Sequence, residues 1–367
     1  MNANAAIRAD PARTRELVLA HGWNATSYQI LNPGIQHWFS SEGDAVIGFV
    51  VQARTRVVAG APVCARERLP AVVAEFEANA SAAGEHICYF GAESRLQDLL
   101  IPTGGWSVAS LGAQPSWDPS RWPAIVSARA SLRAQLNRAR NKHVRVMEWS
   151  AGKGATDEGV RRCLAEWLAD RRLPALHFLV EPETLGQLED RRLFVAERTG
   201  AVVGFLIASP VPARRGWLVE QIIRGQGAPN GTAELLLDAA MRALAEGGAE
   251  YVTLGLSPLS RHSRFDSQRM PYWLRLVLRW VRAHGRRFYN FEGLDQFKAK
   301  FAPDAWEEVV ALSDSRHFSP RALWAIAAAF AQGSPLLLLV RATARAARQE
   351  IRWLRKRAAR HRKANTA

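Results

Sequence analysis

Cysteine is scarce. The 367-residue chain holds only Cys64, Cys88 and Cys163, far apart and outside any CxxC or CxxxC spacing. A disulfide framework or a thiolate zinc site therefore lacks its residues, and a reducing compartment is expected. Nine histidines are present, yet none lies three or four residues from another, so no helical pair of metal ligands is available. Neither a GxSxG elbow nor a GxxxxGK[ST] loop occurs, which leaves serine hydrolysis and P-loop nucleotide hydrolysis without their parts. Acid is in short supply too: 34 Asp and Glu face 49 Lys and Arg, for a formal charge of +15. A surface of that kind favours polyanions such as nucleic acid, an anionic headgroup layer or phosphorylated small molecules, with plain solubilising charge as the bland alternative.

Long apolar runs are nearly absent. Arg8, Asp10, Arg13, Arg15 and Glu16 interrupt the first 31 residues, so the N-terminus does not read as a signal peptide, and a cytoplasmic location is expected. The uncharged stretch Ala322 to Val340 is split by Gln332-Gly333-Ser334-Pro335 into pieces too short to cross hydrocarbon, which predicts a buried helix or a membrane-surface segment. Beyond it, Arg341 to Lys363 (RATARAARQEIRWLRKRAARHRK) is an almost unbroken basic helix with Ile351, Trp353 and Leu354 as its few large apolar residues. That composition suits an anionic membrane surface, with a disordered tail that binds nucleic acid as the competing reading.

Apolar residues make up 48% of the chain and charged residues 23%, an ordinary globular balance, and the length suits two domains. In the first half, strand-like runs at Ala45 to Val51, RVVAGAPV, His86 to Phe90 and Trp106 to Leu111 alternate with helical stretches at Leu69 to Ala83 and Ser94 to Leu100. SARASLRAQLNRARNKH (Ser127 to His143) reads as one basic helix leading into the strand VRVMEW, and AGKGATD (Ala151 to Asp157) as a possible alternative linker. A helix at Glu158 to Arg172, a hairpin turning at Thr199-Gly200, the strand WLVEQIIR, the loop GQGAPNG, a helix stopped by two glycines and the strand YVTLGLSPL follow. The class is α/β with mixed sheets, and this order is the layout of an N-acetyltransferase-like (GNAT) unit, an inference from fold analogy. The expected division is an N-terminal GNAT-like domain over 1–126, a basic connector over 127–150, a catalytic GNAT-like domain over 151–320 and a basic helical segment over 321–367. AVIGFVV at Ala45 and AVVGFLI at Ala201 echo one another, as two related halves would.

Chemistry-bearing residues gather in two places. Glu220 and Arg224 lie four apart on a strand and are expected to share a face, the carboxylate able to take a proton or hold an amine; a surface ion pair is the bland reading. The loop that follows, with Gly225, Gly227, Asn230 and Gly231, is expected to turn backbone N–H groups toward an anion at a helix N-terminus that Asn230 or Thr232 caps. In the second place, FYNFEGLDQFKAKF (Phe288 to Phe301), Lys298 and Lys300 are candidate phosphate cations and Tyr289 and Asn290 candidate substrate contacts, the alternative being a helix with a hydrophobic stripe and solvated lysines. Arg133, Asn137 and Arg138 on the basic helix are candidate contacts to a phosphate backbone, or parts of a solvated connector.

At these same residues the sequence resembles the C-terminal catalytic region of the phosphatidylglycerol lysyltransferase, or multiple peptide resistance factor, family. The resemblance rests on YQILNPGIQHWFS (Tyr28 to Ser40), LRAQLNRARNKHV, VVGFLIAS, VEQIIRGQGAPNGTAELLLDAAM, YVTLGLSPLS and above all FYNFEGLDQFKAKFAPDAWEE. It implies tandem GNAT-like domains that move an amino acid from aminoacyl-tRNA to the glycerol hydroxyl of phosphatidylglycerol at an anionic membrane, with no metal or other cofactor required. It also implies catalytic roles for Glu220, Arg224, Lys298 and Lys300. The family commonly carries an Asp in a DLMR-like string where this chain has VEQIIR, so the acid of that motif is either Glu220 or displaced in register. An acyltransferase using coenzyme A or an acyl carrier, and a noncatalytic basic coat protein, are the rival expectations.

Overall fold

The structure, a computed structural model, describes residues 10–170, 176–263, 270–284 and 290–337. The first part of the chain supplies α1 (Pro11–His21), β1 (Gln36–Phe39), β2 (Val46–Gln52), β3 (Thr55–Ala59), α2 (Leu69–Ala82), β4 (His86–Ala92), α3 (Ser94–Leu100) and β5 (Ser107–Trp117). A middle stretch forms α4 (Trp122–Ala128), α5 (Ala130–Arg140), β6 (Val144–Trp149) and α6 (Ala151–Thr156). The remainder gives α7 (Glu158–Asp170), β7 (Arg192–Arg198), β8 (Ala201–Val211), β9 (Gly216–Arg224), α8 (Thr232–Glu246), β10 (Tyr251–Thr253), β11 (Ser257–Pro258), α9 (Tyr272–His284), α10 (Phe291–Ala299), β12 (Ala305–Ser313) and α11 (Pro320–Ala331).

All the strands join one mixed sheet, ordered β1-β2-β3-β4-β12-β5-β10-β9-β8-β7-β6, with β11 added on β5. The same motif stands twice in it. An antiparallel meander β1-β2-β3 is followed by α2 and the parallel strand β4; the meander β7-β8-β9 is followed by α8 and the parallel strand β10. The α7, hairpin, strand, loop, α8, strand order is the one expected of a GNAT-like unit. AVIGFVV and AVVGFLI fall in β2 and β8, the middle strand of each meander. β5 and β12 are exchanged between the halves: β5, early in the chain, lies beside β10, while β12, late in the chain, lies beside β4.

Apolar packing covers both faces. Trp38, Phe49, Val72 and Phe76 fill one side of the first half, and α1 and α11 bury Val18, Ala325 and Ala329 on the other. In the second half, α4, α5 and α8 enclose Trp122, Leu136, Leu236 and Met241, and α7 closes the opposite face over Val160 and Cys163.

Three local expectations are corrected. The basic stretch Ser127 to His143 is not one helix: Arg129 takes an extended conformation (φ −110°, ψ 92°) between α4 and α5, and Arg133 caps the carbonyls of Val126 and Ser127 at the end of α4. AGKGAT is helix α6, because the Ser150 hydroxyl accepts from the Lys153 N–H at its start. YVTLGLSPL breaks after Thr253, where Gly255 turns at φ +69° before β11 resumes. The apolar run near the end gives α11, stopped where Gln332 and Gly333 take positive φ. Among the described residues no helix is long and apolar enough to cross a membrane. The basic stretch Arg341 to Lys363 lies outside the described residues.

The halves meet around one guanidinium. Arg214 donates to Glu307 at 2.5 and 2.8 Å and to Glu93 at 3.3 Å, and it lies over the Tyr251 ring at 3.5 Å. Gln114 and Tyr251 also donate to Glu307, at 3.1 and 3.2 Å. Burial pushes the Glu93 carboxyl up to about 7 against the pull of Arg214. At Glu307 burial acts upward as well, but the hydrogen bonds and charge of Arg214 outweigh it and hold the carboxyl below its ordinary value. Removing one partner of such a buried set leaves an uncompensated charge. Arg214→Ala is therefore expected to lower folding stability by about 3–5 kcal/mol in urea denaturation.

Candidate functional site

The sheet opens between β9 and β10. The two strands pair in parallel only from Gly216 to Leu218 against Tyr251 to Thr253; β10 then ends, while β9 runs on to Arg224. At the mouth of that wedge β9 is also irregular: Ile207 faces Gln221 and Ala208 faces Val219, so Glu220 is the extra residue of a bulge.

The bulge shifts the alternation of side chains. Val219 and Ile222 pack on the α8 side and Ile223 on the α7 side, so alternation returns Arg224 to the α8 side. Glu220 does not meet Arg224, and the expectation of a shared face is corrected. The Glu220 carboxylate instead accepts from Arg191 Nε at 2.7 Å, with both side chains almost fully buried. Arg191 lies over the Tyr28 ring at 4.8 Å, and the Tyr28 hydroxyl donates to Asp190, which also binds Arg15. Glu220 is thus part of a clamp between the halves, while Arg224 is exposed at the strand end.

The loop after β9 already holds an anion of its own. Gln226 N–H donates to the Glu166 carboxylate of α7 at 2.8 Å, and a Cβ on Gly225 would sit 2.9 Å from that carboxylate and from Cys163 Sγ. The N–H groups of Gly225, Ala228 and Thr232 are taken by the carbonyls of Val203, Gly225 and Pro229. These bonds occupy the Gly225 N–H but none of those of Gly227, Asn230 and Gly231, so the anion cradle expected here is taken up only in part. The cap of α8 is also not a side chain: Gly231, at φ +96°, holds that position, and a Cβ there would collide with the Gln135 carbonyl of α5. Thr232 is buried with its hydroxyl donating to Pro229 O, and Gly227 and Asn230 are exposed. Close packing of Gly231 on α5 sets that helix beside the loop, with Asn137 and Arg138 exposed on it.

The two lysines of the FEGL segment are held from α10. Lys300 binds Glu234 in the first turn of α8 at 2.5 Å, tying α10 to the loop's end. Lys298 is 5% exposed, and its Nζ donates to Gly255 O at 2.8 Å and Leu256 O at 2.9 Å, the segment where β10 leaves the sheet. One turn earlier Asp295 accepts from Ser260 at 2.5 Å. Asn290 caps α10 by accepting from Gly293 N–H, a structural duty, and Tyr289 lies outside the described residues.

Lys298 is the chemically distinctive group of this set. Burial lowers its ammonium from 10.5 to about 7, with Asp295 pulling the other way. A neutral amine has two N–H donors, matching the two carbonyls, and retains a basic lone pair. The wedge thus brings Lys298, Lys300 and the end of the loop together, while leaving Glu220 in its clamp. Glu166 and Arg191 were not foreseen, because nothing local marks a residue whose partner is 60 or 29 positions away.

The double meander and exchanged strands define a mixed α/β protein of two GNAT-like units on one sheet. Residues 15–311 match the family model described as phosphatidylglycerol lysyltransferase, C-terminal, and the chain belongs to that family. It is 26% identical over 316 residues to the phosphatidylglycerol lysyltransferase of Bacillus subtilis, covering 85% of this chain and 36% of that protein's length. Two solved structures share the fold at 21% identity. One is the C-terminal domain of a lysylphosphatidylglycerol synthetase from Agrobacterium fabrum, with a TM-score of 0.74 over 88% of this chain and 97% of that one. The other, from Bacillus licheniformis, has a TM-score of 0.71 over 91% and 96%.

The depressed value at Lys298 has a defined consequence for stability. In the unfolded chain the amine regains its usual 10.5, so between about 7 and 10.5 the folded protein binds fewer protons. This group's contribution is therefore present above 10.5, shrinks as pH falls and is lost below about 7. Urea unfolding at pH 7 and pH 9.5 is expected to show a rise in stability with pH that shrinks in Lys298→Met.

Proposed function

We propose that the chain is an aminoacyltransferase that moves an amino acid from aminoacyl-tRNA to the glycerol hydroxyl of an anionic phospholipid such as phosphatidylglycerol, working at a membrane surface from the cytoplasmic side. The observation that carries this reading is the family match over residues 15–311. The wedge beside a buried, weakly basic lysine is consistent with it.

In the reaction the lipid hydroxyl oxygen bonds to the ester carbonyl carbon of the charged tRNA. The hydroxyl proton leaves, the bond from that carbon to the ribose oxygen breaks, and the ribose oxygen regains a proton. Lys298, with a value of about 7, is poised to take the first proton and return it to the leaving ribose oxygen. Lys300 holds α10 on the first turn of α8 through Glu234 and so keeps that amine in place. Glu220 keeps the two halves in register through Arg191 rather than acting on substrate. The exposed Arg224, Arg138 and Asn137 supply contacts for the phosphate backbone of the donor, beside the exposed Gly227 and Asn230.

The test is to incubate purified protein with phosphatidylglycerol vesicles and tRNA charged with labelled amino acids. Label is expected in the lipid fraction. Lys298→Met is expected to lower kcat by roughly 10²–10⁴-fold, the range for loss of a proton-transfer group. Arg224→Ala is expected to raise KM for the charged tRNA and flatten its salt dependence. Unlabelled lipid beside an active control enzyme would overturn the reading.

A further inference from the structure

Helix α9 (YWLRLVLRWVRAH) contains no acidic residue and presents three distinct sides. Its inner side carries Leu274, 1% exposed, with Leu278 alongside, packed in the cluster that also holds Ala325, Ile326 and Ala329 of α11. A second side is apolar yet open to solvent: Tyr272, Leu276 and Trp280, spaced by four, are 69%, 43% and 63% exposed, and Val277 beside them is 38% exposed. The third side is a row of cations, Arg275, Arg279 and Arg282, at spacings of four and three. An exposed aromatic and aliphatic stripe beside a row of arginines marks an interaction surface.

We propose that α9 is a membrane-docking helix, lying in the plane of an anionic bilayer with Tyr272, Leu276 and Trp280 at the acyl boundary and the arginines among the headgroup phosphates. The identity of this partner rests on the lipid-transfer reading above. The chemistry of the helix selects it over the other polyanions. Nucleic acid would satisfy the arginines but leave Leu276 and Val277 in water, whereas a bilayer interface takes both sides at once: aromatic rings at headgroup level, aliphatic groups just below, guanidinium groups reaching back to phosphate. Because the inner side of α9 is anchored in the same core as α11, docking would fix the orientation of the whole sheet relative to the bilayer rather than tether it by a flexible arm.

The test uses the full chain and needs no charged tRNA, so it reads out whether or not transfer occurs. Leu276→Cys is labelled with an environment-sensitive dye, the native cysteines being buried, and mixed with vesicles of phosphatidylglycerol and phosphatidylcholine at physiological salt. A blue shift is expected with the mixed vesicles and a much smaller one with phosphatidylcholine alone. In co-sedimentation, Leu276→Glu with Trp280→Glu should weaken binding at least tenfold, and Arg279→Gln with Arg282→Gln by about fivefold per arginine. All four are exposed positions, so the thermal transition should be unchanged, and transfer to dissolved short-chain phosphatidylglycerol should persist. Unchanged dye emission on vesicle-bound protein would overturn the proposal in favour of another docking surface. A shift that needs no vesicle and grows with protein concentration would overturn it in favour of a second copy, and a shift produced by tRNA alone in favour of nucleic acid.

Discussion

Almost everything in this molecule depends on Arg214 being held between carboxylates that belong to opposite halves. Glu93 ends the β4 segment of the first unit, Glu307 stands on the strand the last unit lends to it, and Arg214 sits in the connection from β8 to β9. A guanidinium offers five donors in a rigid fork, so its orientation dictates where both acids and the Tyr251 ring must lie. The interaction adds little net stability against a hydrophobic substitute, because desolvation offsets most of the attraction. Its contribution is geometric. The start of β9 is fixed relative to β5, β10 and β12, and the wedge beyond Thr253 opens at a set angle from that frame.

A second clamp repeats this logic farther out. Arg15 and Tyr28 from the first unit meet Asp190, and Arg191 meets Glu220 on β9. Beyond the two clamps, at the far end of β9, stand the exposed Arg224 and the loop.

Local signals carried much of this architecture. Thr199 and Gly200 both take positive φ, as a two-residue hairpin turn requires, and the glycines after Glu246 end α8 where a helix stop was read. Ser94 to Leu100 forms a helix at the bounds its pattern suggested. Non-local pairing stayed out of reach. β12 was not recognised as a strand, because its identity comes from fitting between β4 and β5 rather than from its own alternation. The bulge at Glu220 is a property of the β8–β9 register, so the four-residue spacing to Arg224 was misleading. Of the site, Lys298 and Lys300 were legible as unusual cations among aromatics, but the burial that makes Lys298 distinctive arises from the carbonyls of Gly255 and Leu256, over 40 residues away.

The exchange of β5 and β12 sets the order in which the protein is completed on the ribosome. β4 is synthesised more than 200 residues before the strand that covers its edge, so during elongation the first unit presents an open row of N–H and C=O groups on a Val-, Ile- and Phe-rich sheet. The nascent chain cannot finish its first half before nearly all of its second half has emerged. A truncation just before Ala305 removes the strand that joins β4 to β5 and leaves the sheet in two pieces with open facing edges, so the first unit waits on the last strand to be made.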